Sequence, residues 1–181
     1  MKKEHYELLS LALSYPRAEL LELIRQGSFE EVFGKKAPIP GNLEELEVEY
    51  CRLFVGPGHV EVPPYESVYR NPELNMQKGL IMGPAAQQVV KVYEEAGLQL
   101  KAEFHDMPDH IAVEFLFMAY LEAMHDSYPE EGFLDKKHAF INNHLGQWAL
   151  GFADEVKNHG RHAWYLYVAD LLAETVSNDV G

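Results

Sequence analysis

The chain has 181 residues, 47% of them hydrophobic, and its formal net charge at pH 7 is −14. This length can bury a sizeable core, so we predict one domain spanning residues 1–181. Binding to nucleic acid or to anionic membranes needs clustered Lys and Arg, so the charge argues against both partners. It suits a cationic peptide or a basic protein surface, and the alternative, with equal weight, is that the acidity only keeps the protein soluble. No apolar run of about 18 residues is present, and we expect no stable membrane insertion.

Cys51 is the one cysteine of the sequence, which excludes internal disulfides and a Cys-rich zinc site. It stands at an apolar helical position beside Leu53 and Phe54, which favours a buried structural thiol over a nucleophile. One thiol is compatible with a reducing compartment but does not prove one. Glu4 and Glu7 interrupt the first apolar stretch, so the N-terminal residues do not fit a signal peptide.

Apolar residues at spacings of three and four predict helices along most of the chain. The first helix covers residues 6–15 and ends at Pro16, and the second ends at Gly27. Ser28 is followed three residues later by Glu31, which predicts a capping box at the start of the third helix.

The middle of the sequence continues this helical pattern. Asn42 is predicted to cap a helix that extends to about Val55, with Glu45 at its third position. Gly83–Pro84 should start another helix, which Gly97 closes.

Three longer helices are predicted in the remaining sequence. Asp106 could cap the first, which covers 107–127 and carries one apolar stripe formed by Ile111, Ala112, Phe115, Met118 and Leu121. The second covers 134–158 with Gly146 and Gly151 inside it, where a kink or close helix packing is expected. The last covers 161–177.

The predicted fold class is all-α, a single-domain helical bundle. No segment of useful length alternates apolar and polar residues as a strand would. Prolines and glycines cluster at about 56–72, so we expect the longest irregular segment of the protein there.

Histidines raise the alternative hypothesis of a helical metal-binding protein or an enzyme. A di-iron bundle needs two Glu-x-x-His pairs, and the sequence supplies one, Glu122 and His125. His110 and Glu114 form one His-x-x-x-Glu pair. Single pairs of this kind arise by chance in so acidic a chain. We therefore predict neither a cofactor nor catalysis. A metal-binding or catalytic site at His110 and Glu114 is kept as the alternative hypothesis.

Four segments together resemble the signature blocks of the TorD/DmsD/NarJ-type chaperones, the redox-enzyme maturation proteins. The blocks occur in the family's order between residues 49 and 152, and they read EYCRLFVGPG, PPYESVY, MPDHIAVEFLFMAYL and FINNHLGQWALGF. One block alone would be a weak signal, whereas four in order are specific.

The resemblance implies an all-helical cytoplasmic chaperone with no catalysis of its own. Its implied partner is the catalytic subunit of a molybdopterin-containing anaerobic oxidoreductase, whose twin-arginine leader or apo form it would bind during cofactor insertion and export proofreading. The resemblance leaves open whether the protein is an assembly factor that binds no leader peptide. It also leaves open whether the protein is a monomer or a dimer. The implied peptide-binding residues are Leu53, Phe54, Pro63, Pro64, Tyr65, Glu66, Ser67, Tyr69, Pro108, Asp109 and His110.

These residue types suit a peptide that has two arginines followed by an apolar stretch. Such a peptide needs carboxylates for its guanidinium groups and an apolar groove for the rest. We expect Tyr65, Glu66, Asp109 and His110 to line one groove, beside the stiff Pro63–Pro64 backbone. The alternative is that the tyrosines close one end of the core, and that Asp109 is a helix cap followed by an exposed histidine.

Overall fold

The computed structural model describes residues 1–56, 60–70, 83–99 and 107–180. Within these ranges the regular structure is helical and no β-strand forms, which confirms the all-α prediction. The helices are α1 (Lys3–Leu13), α2 (Ala18–Gln26), α3 (Ser28–Phe33), α4 (Leu43–Tyr50), α5 (Glu66–Arg70), α6 (Pro84–Glu95), α7 (Ile111–Ser127), α8 (Phe133–Asn143), α9 (Ala149–His159) and α10 (Ala163–Asp179). The assignment of the chain to one domain stays a prediction.

Helix α7 lies at the centre of the packing, between α1 and α8, while α9 pairs with α10. Its predicted stripe is buried throughout, which confirms that prediction for Ile111, Ala112, Phe115, Met118 and Leu121. Ser10 of α1 donates its hydroxyl proton to the carbonyl oxygen of Ala112 at 2.7 Å, which fixes α1 against the first turn of α7. The buried apolar side chains form one continuous core. Among the described residues, no helix combines the length and the apolar character needed to cross a bilayer.

The predicted helix starts are confirmed at one place and wrong at another. Asn42 caps α4, since its Oδ1 accepts the backbone N–H of Glu45 at 3.0 Å. Ser28 does not cap α3 but is its first residue. Gly27 ends α2 in the left-handed conformation, with φ 82°, and turns the chain so sharply that its own carbonyl accepts the first hydrogen bond of α3, from Glu31.

The predicted extension of α4 to Val55 forms as a π-helical turn, Cys51–Val55. The backbone N–H of Gly56 donates to the carbonyl of Cys51 at 2.7 Å and closes this turn. Tyr50, Leu53 and Phe54 take its inward positions, so Cys51 is only half-buried and the prediction of a buried thiol is wrong.

The predicted helix over 134–158 is wrong, because the chain breaks at His144 between α8 and α9. A short 3₁₀ turn, Leu145–Gln147, fills the gap. At Gly146 a Cβ would lie 2.5 Å from the carbonyl oxygen of Ile141, so the close packing expected at this glycine is present. The break leaves the His144 ring buried and stacked on Phe140.

Two predicted boundaries near the candidate site are also wrong. Helix α7 begins at Ile111 and not at Met107, because His110 caps it: its Nδ1 accepts the backbone N–H of Ala112 at 3.1 Å. The proposed cap Asp106 lies outside the described residues. The irregular segment predicted at 56–72 contains α5, and its residues 57–59 and 71–72 also lie outside the described ranges.

Phe115→Ala should lower the free energy of unfolding by about 3–5 kcal/mol, because the ring is completely buried and its removal leaves a cavity in the core. The neighbouring Leu116 lies about 100° further round α7 and is 54% exposed, and Leu116→Ala serves as the matched control. The control should change stability by about 0.5 kcal/mol or less. Urea unfolding of both variants tests this, and equal losses would contradict the assigned inward face.

Candidate functional site

The two predicted binding segments, 63–67 and 108–110, lie side by side. The backbone N–H of Glu66 donates to the carbonyl of Asp109, and that of Ile111 donates to the carbonyl of Pro64, both at 2.9 Å. These bonds form an isolated antiparallel bridge between Tyr65 and His110. The irregular segment is therefore attached by its backbone to the residues that precede α7.

The carboxylate of Asp109 fixes the start of α5. Its Oδ2 accepts the backbone N–H of Ser67 at 3.0 Å, and its side chain is completely buried. His110 is buried as well, and the Tyr65 ring meets the His110 ring edge to face with centroids 5.3 Å apart. Tyr65 itself is half-buried, so its ring covers the bridge from the solvent side.

Glu66 stands at the centre of a group of ionisable side chains, which we call the polar cluster: Glu66, Arg70, Asp109, Glu114 and His144. The Glu66 side chain is completely buried and forms an ion pair with Arg70. Nδ1 of His144 lies 3.2 Å from both of its carboxylate oxygens. The Arg70 guanidinium also donates to the carbonyl of Asn143 at 2.7 Å. A buried carboxylate thus has partners from α5 and from the end of α8.

Glu114 is the second buried acid of the polar cluster. Burial, and then the neighbouring charge of Glu66, raise the pKa of Glu114 well above its ordinary value of 4.5. The raised pKa favours the protonated, neutral form of this carboxyl. It accepts a hydrogen bond from the Trp148 indole at 3.1 Å, and it can donate its proton to Glu66.

Tyr69 extends the site from α5 to α9. Its half-buried ring lies 5.3 Å from the Trp148 ring and 6.3 Å from that of Phe152, measured between centroids. Burial, and then the charge of Glu155, raise the pKa of Tyr69 above its ordinary value. The phenol therefore stays neutral and presents an amphipathic surface.

The predicted pair Leu53 and Phe54 lies inside the core. Phe54 packs against Phe152 and Tyr165, and the carbonyl of Leu53 accepts the backbone N–H of Val62 at 2.8 Å. The pair therefore packs in the core, and the backbone bond between Leu53 and Val62 attaches the irregular segment to it.

A charged contact beside this pair holds the π-helical turn in place. Glu49 forms two hydrogen bonds with Arg52, at 2.7 and 2.8 Å, and accepts the backbone N–H of Arg161 at 2.6 Å. Burial alone would raise the pKa of Glu49, but these bonds outweigh it and the pKa is lowered. The turn is thus anchored to the junction between α9 and α10.

The structure divides the predicted site residues into two groups. Buried members are Leu53, Phe54, Pro64, Glu66, Ser67, Pro108, Asp109 and His110, and half-buried members are Pro63, Tyr65 and Tyr69. Sequence reasoning missed Arg70, His144 and Trp148 as neighbours of Glu66 and Glu114. The signal for two of them was the His-Leu-x-x-Trp pattern at residues 144–148, which places a histidine and an indole one short turn apart.

The alternative of a metal site at His110 and Glu114 gains no support from the described part of the chain. There, no three His, Cys, Asp or Glu side chains are grouped as a metal would require. Nδ1 of His110 already caps α7, and Glu114 accepts from Trp148.

The sequence matches the model of the nitrate reductase delta subunit family over residues 12–154. Two similar curated proteins are named chaperone protein TorD. The one from Vibrio parahaemolyticus is 30% identical over 71% of this chain and 59% of its own length, and the one from Colwellia psychrerythraea is 27% identical over 76% and 64%. The chain belongs to this family, as the four sequence blocks indicated. It spans about three fifths of the length of these relatives.

The fold is also similar to that of a protein of known structure. A crystal structure from Archaeoglobus fulgidus, described as a redox enzyme maturation protein, superposes with a TM-score of 0.68. The match covers 98% of this chain and 94% of the other, at 24% identity. This likeness supports the TorD-like helical architecture.

Glu114→Gln should make stability less dependent on pH. The raised pKa means that the favourable neutral form of Glu114 is fully present below pH 4.5 and that its contribution is lost as pH rises through the folded-state pKa. Glutamine keeps the acceptor for Trp148 but has no proton to lose. Relative to wild type, the variant should gain about 1.4 kcal/mol per pH unit between the unfolded-state and folded-state pKa values.

Urea unfolding of both proteins from pH 4 to pH 9 measures this difference. The control is Glu130→Gln, which removes an exposed carboxylate near the end of α7. A constant difference between Glu114→Gln and wild type across this range would show that Glu114 is not held neutral.

Proposed function

We propose that this protein is a cytoplasmic chaperone for the catalytic subunit of a molybdopterin-containing oxidoreductase. It binds the N-terminal leader of that subunit, of the twin-arginine type, or its apo form, and it assists cofactor insertion and proofreading before export. The family match over residues 12–154 carries this proposal, because it spans every predicted binding residue from Leu53 to His110. The relatives named chaperone protein TorD support the same role.

The burial pattern assigns different roles within the proposed site. Glu66 and Asp109 hold the segment in place, since their buried side chains bond to Arg70 and to the backbone N–H of the buried Ser67. Pro63, Tyr65 and Tyr69 are half-buried and remain available for contact. Tyrosine rings bind both arginine and leucine side chains, so they suit a basic and apolar peptide.

Exposed carboxylates beside Tyr69 suit the basic part of such a peptide. Glu61 and Glu155 lie on either side of His159, each 3.3 Å from one of its ring nitrogens. Glu155 is close enough to influence Tyr69 electrostatically. An arginine that approaches the Tyr69 ring would therefore meet carboxylates at the surface, where salt screens the attraction.

Tyr65→Ala and Tyr69→Ala should each weaken binding of a synthetic peptide with two adjacent arginines and a leucine-rich run by about 1–2 kcal/mol, in line with interface hot spots. Calorimetric titration at two salt concentrations measures the effect, and the wild-type affinity should fall as salt is added. A peptide with lysines in place of the arginines should bind less tightly.

The matched control is Tyr128→Ala. Tyr128 is 51% exposed and directly follows α7, a helix of 17 residues, so it stands about 25 Å from the site. The control should bind like wild type. If the peptide binds all four proteins equally, the site is misplaced. If the peptide does not bind but the apo catalytic subunit does, the protein is an assembly factor that recognises no leader.

A further inference from the structure

The ion pair of Glu66 and Arg70 has the construction of a guanidinium-binding site. One nitrogen of Arg70, Nη1, donates both to the Glu66 carboxylate and to the carbonyl of Asn143. The Glu66 side chain is 0% exposed, whereas that of Arg70 is 29% exposed. The Glu66 carboxylate thus lies inside the protein, whereas Asn143 is an exposed residue, and the guanidinium reaches both acceptors from the surface.

The two acceptors favour a cation for independent reasons. Asn143 is the last residue of α8, so its carbonyl lacks a partner within the helix and lies at the negative end of the helix dipole. Glu66 supplies a formal charge at a fully buried position, where the attraction between charges is stronger than at the surface. One guanidinium nitrogen carries two N–H donors and can bond both groups at once, and the delocalised cation is more weakly hydrated than an ammonium, so it loses less on leaving water.

The acceptors are held in place without Arg70. The backbone N–H of Glu66 donates to Asp109, and His144 lies 3.2 Å from both Glu66 oxygens. Asn143 belongs to a regular helix, and the Phe140 ring stacks on His144. Removing the Arg70 side chain should therefore leave the two acceptors in position.

An apolar cavity adjoins these acceptors. It has a volume of about 240 Å³ and shares Asn143 with the guanidinium-binding site; Ala96, Phe117 and Phe140 supply apolar walls, and Glu95 and Lys136 also line it. A cavity of this size admits one side chain such as leucine or valine. The combined site therefore has the chemistry of an arginine next to an apolar residue.

We infer that Arg70 is an internal competitor. It occupies a guanidinium-binding site formed by Glu66 and Asn143, and an arginine of the client segment displaces it while a neighbouring apolar side chain enters the cavity. This inference rests on the proposed function for the identity of the client. The site itself does not depend on that identity, because a small guanidinium compound can probe it.

Arg70→Ala should create a saturable site for methylguanidinium. A side chain that fills the site at least 90% of the time weakens a competitor by about tenfold or more, so the variant should bind methylguanidinium at least about tenfold more tightly than wild type. Calorimetry or chemical-shift titration measures the binding at constant ionic strength. Methylammonium, which has the same charge without the planar group, should bind the variant more weakly.

Two variants control for charge and for the acceptor. Arg25→Ala removes another arginine that donates to a backbone carbonyl, that of Gly41, and it should behave like wild type. Glu66→Gln combined with Arg70→Ala should lose the methylguanidinium site. Equal binding of methylguanidinium to wild type and to Arg70→Ala would overturn the inference.

Loss of folding in Arg70→Ala would also be informative. Recovery of the helical circular dichroism by methylguanidinium, but not by methylammonium, would then support the site. No recovery, together with unchanged binding in Arg70→Gln, would overturn it.

The arginine-containing peptide separates this inference from the proposed function. Tighter peptide binding by Arg70→Ala than by wild type supports both. Peptide binding that Arg70→Ala leaves unchanged retains the chaperone proposal and rejects competition by Arg70. Saturable binding of methylguanidinium without any peptide binding retains the site and rejects the leader as the ligand.

Discussion

Burying the carboxylate of Glu66 is unfavourable unless charged or hydrogen-bonding partners accompany it, and the packing around α5 follows from that constraint. Arg70 comes from the same short helix, His144 from the break after α8, and Glu114 from the first turn of α7. A continuous helix through residue 144 would carry His144 past Glu66. The break between α8 and α9 is therefore part of the arrangement that makes a buried Glu66 tolerable.

Glu66 and Glu114 are two neighbouring acids that are both fully buried, and charging both would cause strong electrostatic repulsion. Burial, and then the charge of Glu66, raise the pKa of Glu114, which favours the protonated form that can donate a hydrogen bond to Glu66. Trp148 fixes Glu114 on its other side. Within the polar cluster the Glu66 carboxylate faces Arg70 and His144, and the bonds of Glu66 and Ser67 to Asp109 attach the segment 63–70 to the start of α7.

The sequence predicted local features better than distant contacts. The buried stripe of α7 and the cap at Asn42 depend on residues within a few positions of one another, and both are confirmed. The break at His144 depends on contacts of its ring with Glu66, 78 positions away, which no helical period reveals. The cap at His110 was missed for a related reason: capping by Nδ1 of a histidine has no strong sequence preference, whereas the acidic Asp106 and Asp109 fit the usual pattern.

The burial of Glu66 and Asp109 changes how the candidate site can act. In the proposed binding site the buried Asp109 carboxylate holds the start of α5, and backbone bonds on both sides of Tyr65 restrict its position. A ring that is already restricted loses little conformational entropy on binding, which favours affinity for a short peptide. Glu66 differs from Asp109 in one respect: its partner Arg70 is partly exposed and chemically equivalent to a client arginine. The same carboxylate that orders the free protein can therefore exchange one guanidinium for another without being left unpaired.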